Sequence, residues 1–159
     1  MQPSTAAIIV THNSQDVIQN CVSALLSQSA TIDKVIIVDS GSDDPSYLDI
    51  YQRHENITLL YEKNIGFSKA NNLGVQHLND DIQYIIFVNP DVFLFEEFLS
   101  RMHGFFKEQG NDYILTGKLL GYDPQLGEPT GLLDSTGIFR KWFGRWYDRG
   151  QGERAGEQY

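Results

Sequence analysis

The sequence predicts an α/β fold: a mainly parallel sheet with helices on both faces. Short apolar, β-branched runs recur along the chain, and helical patterns fill the gaps between them. Each run is continuously apolar rather than alternating, which is typical of strands covered on both faces. The predicted strands are Ala7–Val10, Val35–Val38, Ile57–Leu60 and Tyr84–Val88.

The segment after the first strand predicts a helix. Ser14 is a residue type that caps helices, and Asp16 would lie in the first turn. Val17, Cys21 and Leu25 form one apolar stripe. A lone cysteine in such a stripe indicates a small, buried core residue.

Three more helices are predicted between and after the remaining strands. A short one runs from Pro45 to His54. Apolar and small residues at helical spacing mark the other two: Phe67, Ala70, Gly74 and Leu78, then Phe95, Phe98, Met102 and Phe106, with Glu96 and Glu97 in the first turn and Gly110 at the end.

The pattern changes after these four strand–helix alternations. A fifth strand is predicted at Tyr113–Thr116. From Gly117 to Tyr159 we expect irregular, glycine-rich loops, with one short helical or strand piece around Ile138–Tyr147. Residues 1–159 are expected to form a single domain.

Composition narrows the classes of partner and compartment. The formal net charge is -9, and phosphate-backbone binding requires a basic surface, so nucleic acid is not an expected partner. Cys21 is the only cysteine, which fits a reducing cytoplasm. The start of the chain has no secretory pattern and no apolar run suffices to span a bilayer. We therefore expect a cytoplasmic protein.

Polar residues, glycines and carboxylates gather directly after each predicted strand. Ligands of open α/β sheets bind beyond the carboxyl ends of the strands, so these segments form the candidate site. They are Thr11-His12-Asn13-Ser14, Asp39-Ser40-Gly41-Ser42-Asp43-Asp44, Glu62-Lys63-Asn64-Ile65-Gly66-Phe67 and Asn89-Pro90-Asp91.

Each segment also has a purely structural interpretation. Thr11, Asn13 and Ser14 could serve only to cap a helix, and Asp39 could belong to an ordinary turn. Gly66 could merely open a helix, and Asp91 could cap the next one. Such interpretations do not readily explain a carboxylate after both the second and fourth strands.

Other catalytic arrangements are not apparent. The sequence has no nucleophile elbow, phosphate-binding P-loop or zinc-binding helix motif. None of the histidines pairs with another at metal-ligand spacing. His12 lies near the candidate site without an assignable role, whereas His77 and His103 are predicted on solvated helix faces.

Taken in order, the strand exits resemble those of family 2 glycosyltransferases. The resemblance implies a GT-A, Rossmann-like fold and covers nearly the whole chain. The metal-binding region has the sequence N-P-D here, at Asn89-Pro90-Asp91. This sequence resembles that of the rhamnosyltransferases that use dTDP-rhamnose, as do the later segments DSTGI and DRGQGERAGEQY. The other matching segments are AAIIVTHNS, KVIIVDSGSDD, NIGFSKANNLGV and IIFVNPDVFL.

The resemblance assigns a role to each matching position. Thr11 and Asn13 would line the nucleotide pocket, and Asp39 would accept a hydrogen bond from a pyrimidine N3–H. Asp91 would bind Mg²⁺ or Mn²⁺, which bridges the diphosphate of a nucleotide diphosphate-sugar. The remaining donor-site positions are Gly66, Ala70 and Asn71, beside base and ribose, and Asn89, where family members often carry a carboxylate.

The implied activity is inverting transfer of a sugar to a saccharide or lipid-linked saccharide. Family members carry the catalytic carboxylate in a later E-D motif, and neither Glu153 nor Glu157 matches it. We therefore expect a shortened chain that keeps the donor site and lacks the general base. The alternatives are a non-catalytic nucleotide-sugar-binding module and, less favoured, a nucleotidyltransferase, since THNSQDV offers no triphosphate loop.

The segment IFRKWFGRWYDRG interleaves aromatic and basic residues. Such a mixture is typical of peripheral contact with the inner membrane face, but the same side chains could instead pack against the missing half or cover the edge of the sheet. We favour the packing interpretation on this pattern alone. Surface left uncovered by a missing half would also favour formation of a homo-oligomer.

Overall fold

The computed structural model describes residues 2–156 and contains two compact units, Met1–Asn111 and Asp112–Tyr159. The boundary falls shortly before Gly117, where the sequence pattern changes. The first unit carries the predicted strand–helix alternation, and the second consists of β-hairpins.

The first unit contains a four-stranded parallel sheet. Its strands are β1 (Thr5–Thr11), β2 (Lys34–Ser40), β3 (Ile57–Glu62) and β4 (Tyr84–Val88), in the spatial order β3-β2-β1-β4. All four predicted strands are confirmed. The strands β1 and β2 are buried on both faces, which accounts for their unbroken apolar sequences.

Helices follow the strands on both faces. They are α1 (Ile18–Leu26), a 3₁₀ helix (Pro45–Tyr51), α2 (Phe67–Gln76) and α3 (Phe98–Gln109). The predicted end of α3 at Gly110 is confirmed: Gly110 has φ 92° and its N–H donates to the carbonyl of Phe106. Left-handed backbone of this kind costs glycine little.

Two predicted helix starts are wrong. The helix α1 begins at Ile18, so Asp16 lies outside its first turn. No side chain caps this helix, and Ser14 Oγ instead accepts from the N–H of His12. The helix α3 begins after Glu97, so Glu96 and Glu97 precede its first turn. In both places a backbone turn continues the chain from the strand before the helix forms, which shifts the start downstream.

The sheet separates two apolar layers. On one face, Ala7, Ile9 and Ile37 pack with Cys21 and Leu25 of α1, which confirms that Cys21 is a core residue. On the other face, α2 packs closely on β1: a Cβ at Gly74 would lie 2.7 Å from Cγ2 of Ile8. The small residue at this position sets the distance between helix and sheet.

The two histidines predicted on solvated helix faces differ. His77 is exposed, as predicted. His103 is half-buried and its Nε2 lies 2.9 Å from Oγ1 of Thr5, so the prediction for His103 is wrong. Burial lowers the pKa of His103 below its ordinary value, against a smaller opposing effect of Asp33.

The second unit is more regular than predicted. It contains the hairpin β5 (Leu119–Asp123) with β6 (Glu128–Ser135) and the hairpin β7 (Ile138–Arg140) with β8 (Trp146–Asp148). The short helical or strand piece predicted around Ile138–Tyr147 is a strand pair, β7 with β8. Glycines suggested loops because they occupy hairpin turns, as at Gly127 with φ 73°. Residues 157–159 lie outside the described part of the chain.

The strand predicted at Tyr113–Thr116 is wrong. Residues 112–118 belong to no strand, and Ile114 is fully exposed. An apolar run becomes a strand only where a neighbouring strand pairs with its backbone. Among residues 2–156, no helix is both long and apolar enough to cross a bilayer.

Candidate active site

The candidate carboxylates leave the sheet at the same edge, on either side of β1. Thr11 at the end of β1 is in register with Asp39 of β2, and Ile9 of β1 is in register with Val88, the last residue of β4. Because the strands are parallel, Asp39 and the Asn89-Pro90-Asp91 segment both lie at the carboxyl edge, and β2 and β4 run about 10 Å apart with β1 between them. The strand order reverses between β1 and β4, so this edge contains the position at which open α/β sheets bind ligands.

Asp39 is the most buried carboxylate of this edge, with 2% of its surface exposed. Its Oδ1 accepts from the hydroxyls of Thr11 and Tyr47, both at 3.2 Å, and from the hydroxyl of Ser42. Its Oδ2 accepts from the backbone N–H of Ser42 at 3.0 Å. A buried carboxylate requires several such donors, and these hold the side chain in one orientation.

The loop after β1 is joined to the loop after β2. Asn13 Nδ2 donates to Asp43 Oδ2 at 3.2 Å, and the N–H of Asp43 donates to Asn13 Oδ1 at 2.9 Å. The N–H of Asn13 donates to Ser42 Oγ at 2.8 Å, and Asn13 has φ 50°. Left-handed backbone at a non-glycine residue is stabilised here by these hydrogen bonds.

The loop after β2 also packs directly on the loop after β3. Gly41 has φ 81°, and a Cβ at this position would lie 2.6 Å from the backbone nitrogen of Asn64. The N–H of Ile65 donates to Ser40 Oγ at 3.2 Å. Only glycine fits the backbone and the space at position 41. Three neighbouring strand exits are therefore held together.

The segment after β4 is a turn that is hydrogen-bonded to α1. The N–H of Val92 donates to the carbonyl of Asn89 at 3.1 Å, and the thiol of Cys21 donates to the same carbonyl at 3.5 Å. Burial, and secondarily the nearby charge of Asp91, raises the pKa of Cys21 to about 12. Asn89 and Asp91 are themselves exposed, so their side chains are available to a ligand.

The remaining candidate residues lie at the start of α2. Gly66 precedes the helix with φ 80°, and a Cβ there would meet nothing within 4 Å. Ala70 is fully buried and packs with Val10 and Val38, while Asn71 Nδ2 donates to the carbonyl of Phe67 at 3.0 Å. Ala70 and Asn71 thus have structural partners, and their contact with base or ribose stays a prediction.

The structure decides several of the alternative interpretations. Thr11, Asn13 and Ser14 do not cap α1, and Asp91 does not cap α3, which begins only at Phe98. Gly66 does open α2. Asp39 does bond to a turn, but as a buried acceptor of donors from β1 and the 3₁₀ helix as well.

Of the three hydroxyls that donate to Asp39 Oδ1, those of Ser42 and Tyr47 were not predicted from the sequence. Ser42 follows Asp39 by three residues in the segment KVIIVDSGSDD, and that spacing could have indicated the contact. Tyr47 carries no such signal, because only the packing of the 3₁₀ helix brings its hydroxyl to the carboxylate. His12 Nδ1 lies 3.1 Å from the carbonyl of Ser40, which holds the ring at the end of β2.

The family model for glycosyl transferase family 2 matches residues 6–149. The chain belongs to glycosyltransferase family 2. The match includes both strands that flank β1 and extends into the second unit as far as residue 149. The carboxyl edge described above is therefore the edge of a glycosyltransferase domain.

Relatives with known names fit this membership. The chain is 32% identical over 138 residues to poly(ribitol-phosphate) beta-glucosyltransferase of Bacillus spizizenii strain W23, covering 81% of this chain and 21% of that protein. It is 28% identical over 105 residues to the uncharacterized glycosyltransferase EpsJ of Bacillus subtilis strain 168, covering 64% and 30%. The chain thus spans between about a fifth and a third of the length of these relatives.

Solved structures show the same fold. The chain aligns with S. aureus TarS 1-349 at a TM-score of 0.64 and 19% identity, covering 87% of this chain and 41% of that one. With the complex of TarS 1-349 and UDP-GlcNAc the TM-score is 0.64 at 21% identity, covering 85% and 39%. The predicted α/β, GT-A fold is confirmed.

Proposed function

We propose that the carboxyl edge of the sheet binds a nucleotide diphosphate-sugar, the donor for transfer of the sugar to a saccharide or lipid-linked acceptor. The observation that carries the proposal is the placement of Asp39 near the end of β2 and of Asp91 in the turn after β4, since β2 and β4 are the two strands that flank β1. One carboxylate is buried and fixed, and the other is exposed. This difference suits two separate tasks along one extended ligand.

Asp39 is suited to recognise the base. Among residues 2–156, three hydroxyls converge on Oδ1, whereas Oδ2 accepts one backbone N–H. A carboxylate oxygen has two lone pairs, so Oδ2 can accept a further hydrogen bond. The N3–H of uracil or thymine is such a donor. Because the donors to Oδ1 already fix the carboxylate, little ordering is required when the base binds.

Asp91 is suited to the diphosphate end. Among the described residues, no three His, Cys, Asp or Glu side chains form a group that could hold a metal ion by themselves. Mg²⁺ and Mn²⁺ accept this arrangement, because one or two carboxylates plus substrate phosphates complete their coordination. Such an ion would offset the charge on the departing diphosphate. Asn89 adds a neutral amide, so Asp91 supplies the carboxylate on this segment.

Two observations bear on the sugar and the base of the donor. The N-P-D form favours dTDP-rhamnose, whereas S. aureus TarS has been crystallised with UDP-GlcNAc and with UDP. Uracil and thymine share the N3–H that Asp39 would accept. We therefore propose a pyrimidine diphosphate-sugar, and we assign the role of general base to no residue of this chain.

The proposal is tested by thermal shift with UDP-, dTDP- and GDP-sugars, each with and without Mn²⁺. Stabilisation by a pyrimidine nucleotide that increases with Mn²⁺ is the expected result. No stabilisation by any of these nucleotides, in the presence of the metal, would overturn the proposal. Slow hydrolysis of a bound donor would then distinguish a transferase from a module that only binds nucleotide-sugars.

A further inference from the structure

The turn between β7 and β8 presents two aromatic residues at its tip. Lys141 and Arg145 close the turn, since the N–H of Lys141 donates to the carbonyl of Arg145 at 2.8 Å. The N–H of Gly144 donates to the carbonyl of Lys141 at 2.8 Å, and Gly144 has φ 91°. This is the three-residue hairpin loop, in which glycine takes the left-handed position. Trp142 and Phe143 are therefore the central residues of the turn.

Their exposure is unusual for residues of this type. Trp142 is 96% exposed and Phe143 is 58% exposed. Central turn positions are normally taken by polar residues, glycine or proline, because their side chains point into solvent. Nothing in the geometry of the turn requires aromatic side chains, so their presence indicates a partner outside the hairpin.

Basic side chains surround this aromatic tip. Residues 137–147 include Arg140, Lys141 and Arg145 and no acidic residue, in a chain of formal net charge -9. Lys141 Nζ lies 5.9 Å from the ring of Phe143 and 5.2 Å from the ring of Tyr147. The nearest acidic residue along β8, Asp148, accepts a hydrogen bond from Ser135 Oγ at 2.9 Å. The tip is thus positive as well as apolar.

The other hairpin of the unit lacks this combination. Its turn exposes Leu126 to 70%, but Asp123 and Glu128 flank it. The N–H groups of Gln125 and Leu126 donate to Asp123 Oδ1, as in an ordinary polar turn. The basic aromatic tip is therefore specific to the β7–β8 hairpin.

We propose that this hairpin is a membrane anchor: Trp142 and Phe143 enter the interfacial region of an anionic bilayer, and the three cations contact lipid phosphates. Tryptophan prefers this region because its ring is amphipathic. A basic residue close to an anionic leaflet is attracted to it, and the attraction fades within a Debye length. The acidic remainder of the chain would be repelled, which directs this hairpin toward the surface.

A saccharide or polymeric anion fits the tip less well. The rings of Trp142 and Phe143 meet edge to face, with an interplanar angle of 89°. They present no common flat surface on which a sugar ring could stack. A protruding apolar wedge with cations behind it matches instead a layered partner, apolar inside and anionic at its surface.

Flotation of the whole chain with vesicles tests the proposal. We expect flotation with vesicles of phosphatidylcholine and phosphatidylglycerol, weaker flotation with phosphatidylcholine alone, and loss of the difference at high salt. Lys141→Gln with Arg145→Gln should weaken partitioning about fivefold for each charge. Trp142→Ser with Phe143→Ser should weaken it at least about tenfold on both vesicles. Leu126→Ser is the matched control and should leave flotation unchanged.

A fluorescence readout shows whether the tip itself is inserted. The chain has two tryptophans, so Trp146→Phe leaves Trp142 as the only reporter. Its emission should shift to the blue on addition of anionic vesicles and be quenched by brominated lipid. Failure of the native chain to float, or equal flotation of the Trp142→Ser, Phe143→Ser variant, would overturn the proposal. So would binding to soluble polyphosphate in place of vesicles. The donor site takes no part in this membrane contact, so the tip variants should bind nucleotide as the native chain does. Nucleotide binding therefore distinguishes failure of this proposal from failure of the proposed function.

Discussion

Asn13 and Asp43 are hydrogen-bonded to each other twice, Asn13 Nδ2 to Asp43 Oδ2 at 3.2 Å and the N–H of Asp43 to Asn13 Oδ1 at 2.9 Å. Asn13 follows β1 and Asp43 lies beyond the end of β2. The pair therefore joins the loop after β1 to the loop that follows Asp39. Although both residues are exposed, their two hydrogen bonds make them part of the framework of the site.

Two replacements of Asn13 separate the contribution of its side-chain hydrogen bonds to stability from the cost of its left-handed backbone. Asn13→Ala loses both side-chain bonds and keeps φ 50° at a non-glycine residue, so it should lower the free energy of unfolding by about 1–3 kcal/mol. Asn13→Gly loses the same bonds but removes the cost of left-handed backbone, about 1 kcal/mol. Urea unfolding should therefore find the glycine variant the more stable of the two, and the reverse order would contradict the account.

Gly41 and Gly110 provide a matched pair for the packing of the strand exits. Both have positive φ, 81° and 92°, but a Cβ at Gly41 would lie 2.6 Å from the nitrogen of Asn64, whereas nothing lies within 4 Å at Gly110. Gly41→Ala should lower the free energy of unfolding by about 1–3 kcal/mol more than Gly110→Ala. Equal losses in urea unfolding would show that the loops after β2 and β3 separate without cost.

The fold of the first unit could be predicted because its signals are local. Runs such as Val35–Val38 are buried on both faces, and such burial produces unbroken apolar sequence. The starts of the helices were harder to predict. The turn that precedes α1 is held by backbone hydrogen bonds to the carbonyl of Ser14, and a residue of any type could accept them. The second unit was harder still, since its glycines mark hairpin turns and irregular loops equally well.

The candidate site shows the same division. Asp39 lies near the end of β2 and Asp91 lies just after β4, so both could be found by position, but the partners of Asp39 come from three separate segments. The contact between Tyr47 and Asp39 depends on tertiary packing, which no spacing in the sequence records. That Ala70 is buried beneath Val10 and Val38 could likewise not be predicted from its motif.

The Cys21 thiol gives a prediction about pH. Burial and the charge of Asp91 raise its pKa in the folded state to about 12, from 9.0. The unfolded state therefore loses this proton first, so the contribution to stability is present below about pH 9 and is lost as the pH rises toward 12. Unfolding measured across this range should show a steeper decline for the native chain than for Cys21→Ala.

The same burial predicts the reactivity of the thiol. Alkylation requires the accessible thiolate, and Cys21 is neither exposed nor ionised at neutral pH. Iodoacetamide should label the folded chain far more slowly than the chain in urea. Rapid labelling of the folded chain would mean that α1 opens away from the Asn89 segment.

Calorimetric titration of the native chain, Asp39→Asn and Asp91→Asn with UDP and dTDP, with and without Mn²⁺, tests the division of roles between the two carboxylates most directly. Asp39→Asn should weaken binding about tenfold or more, whether or not the metal is present, because a hydrogen bond to a charged acceptor is lost. Asp91→Asn should keep the metal-independent affinity and lose the increase that Mn²⁺ gives. An unchanged Mn²⁺ effect in Asp91→Asn, or unchanged nucleotide affinity in Asp39→Asn, would contradict the account.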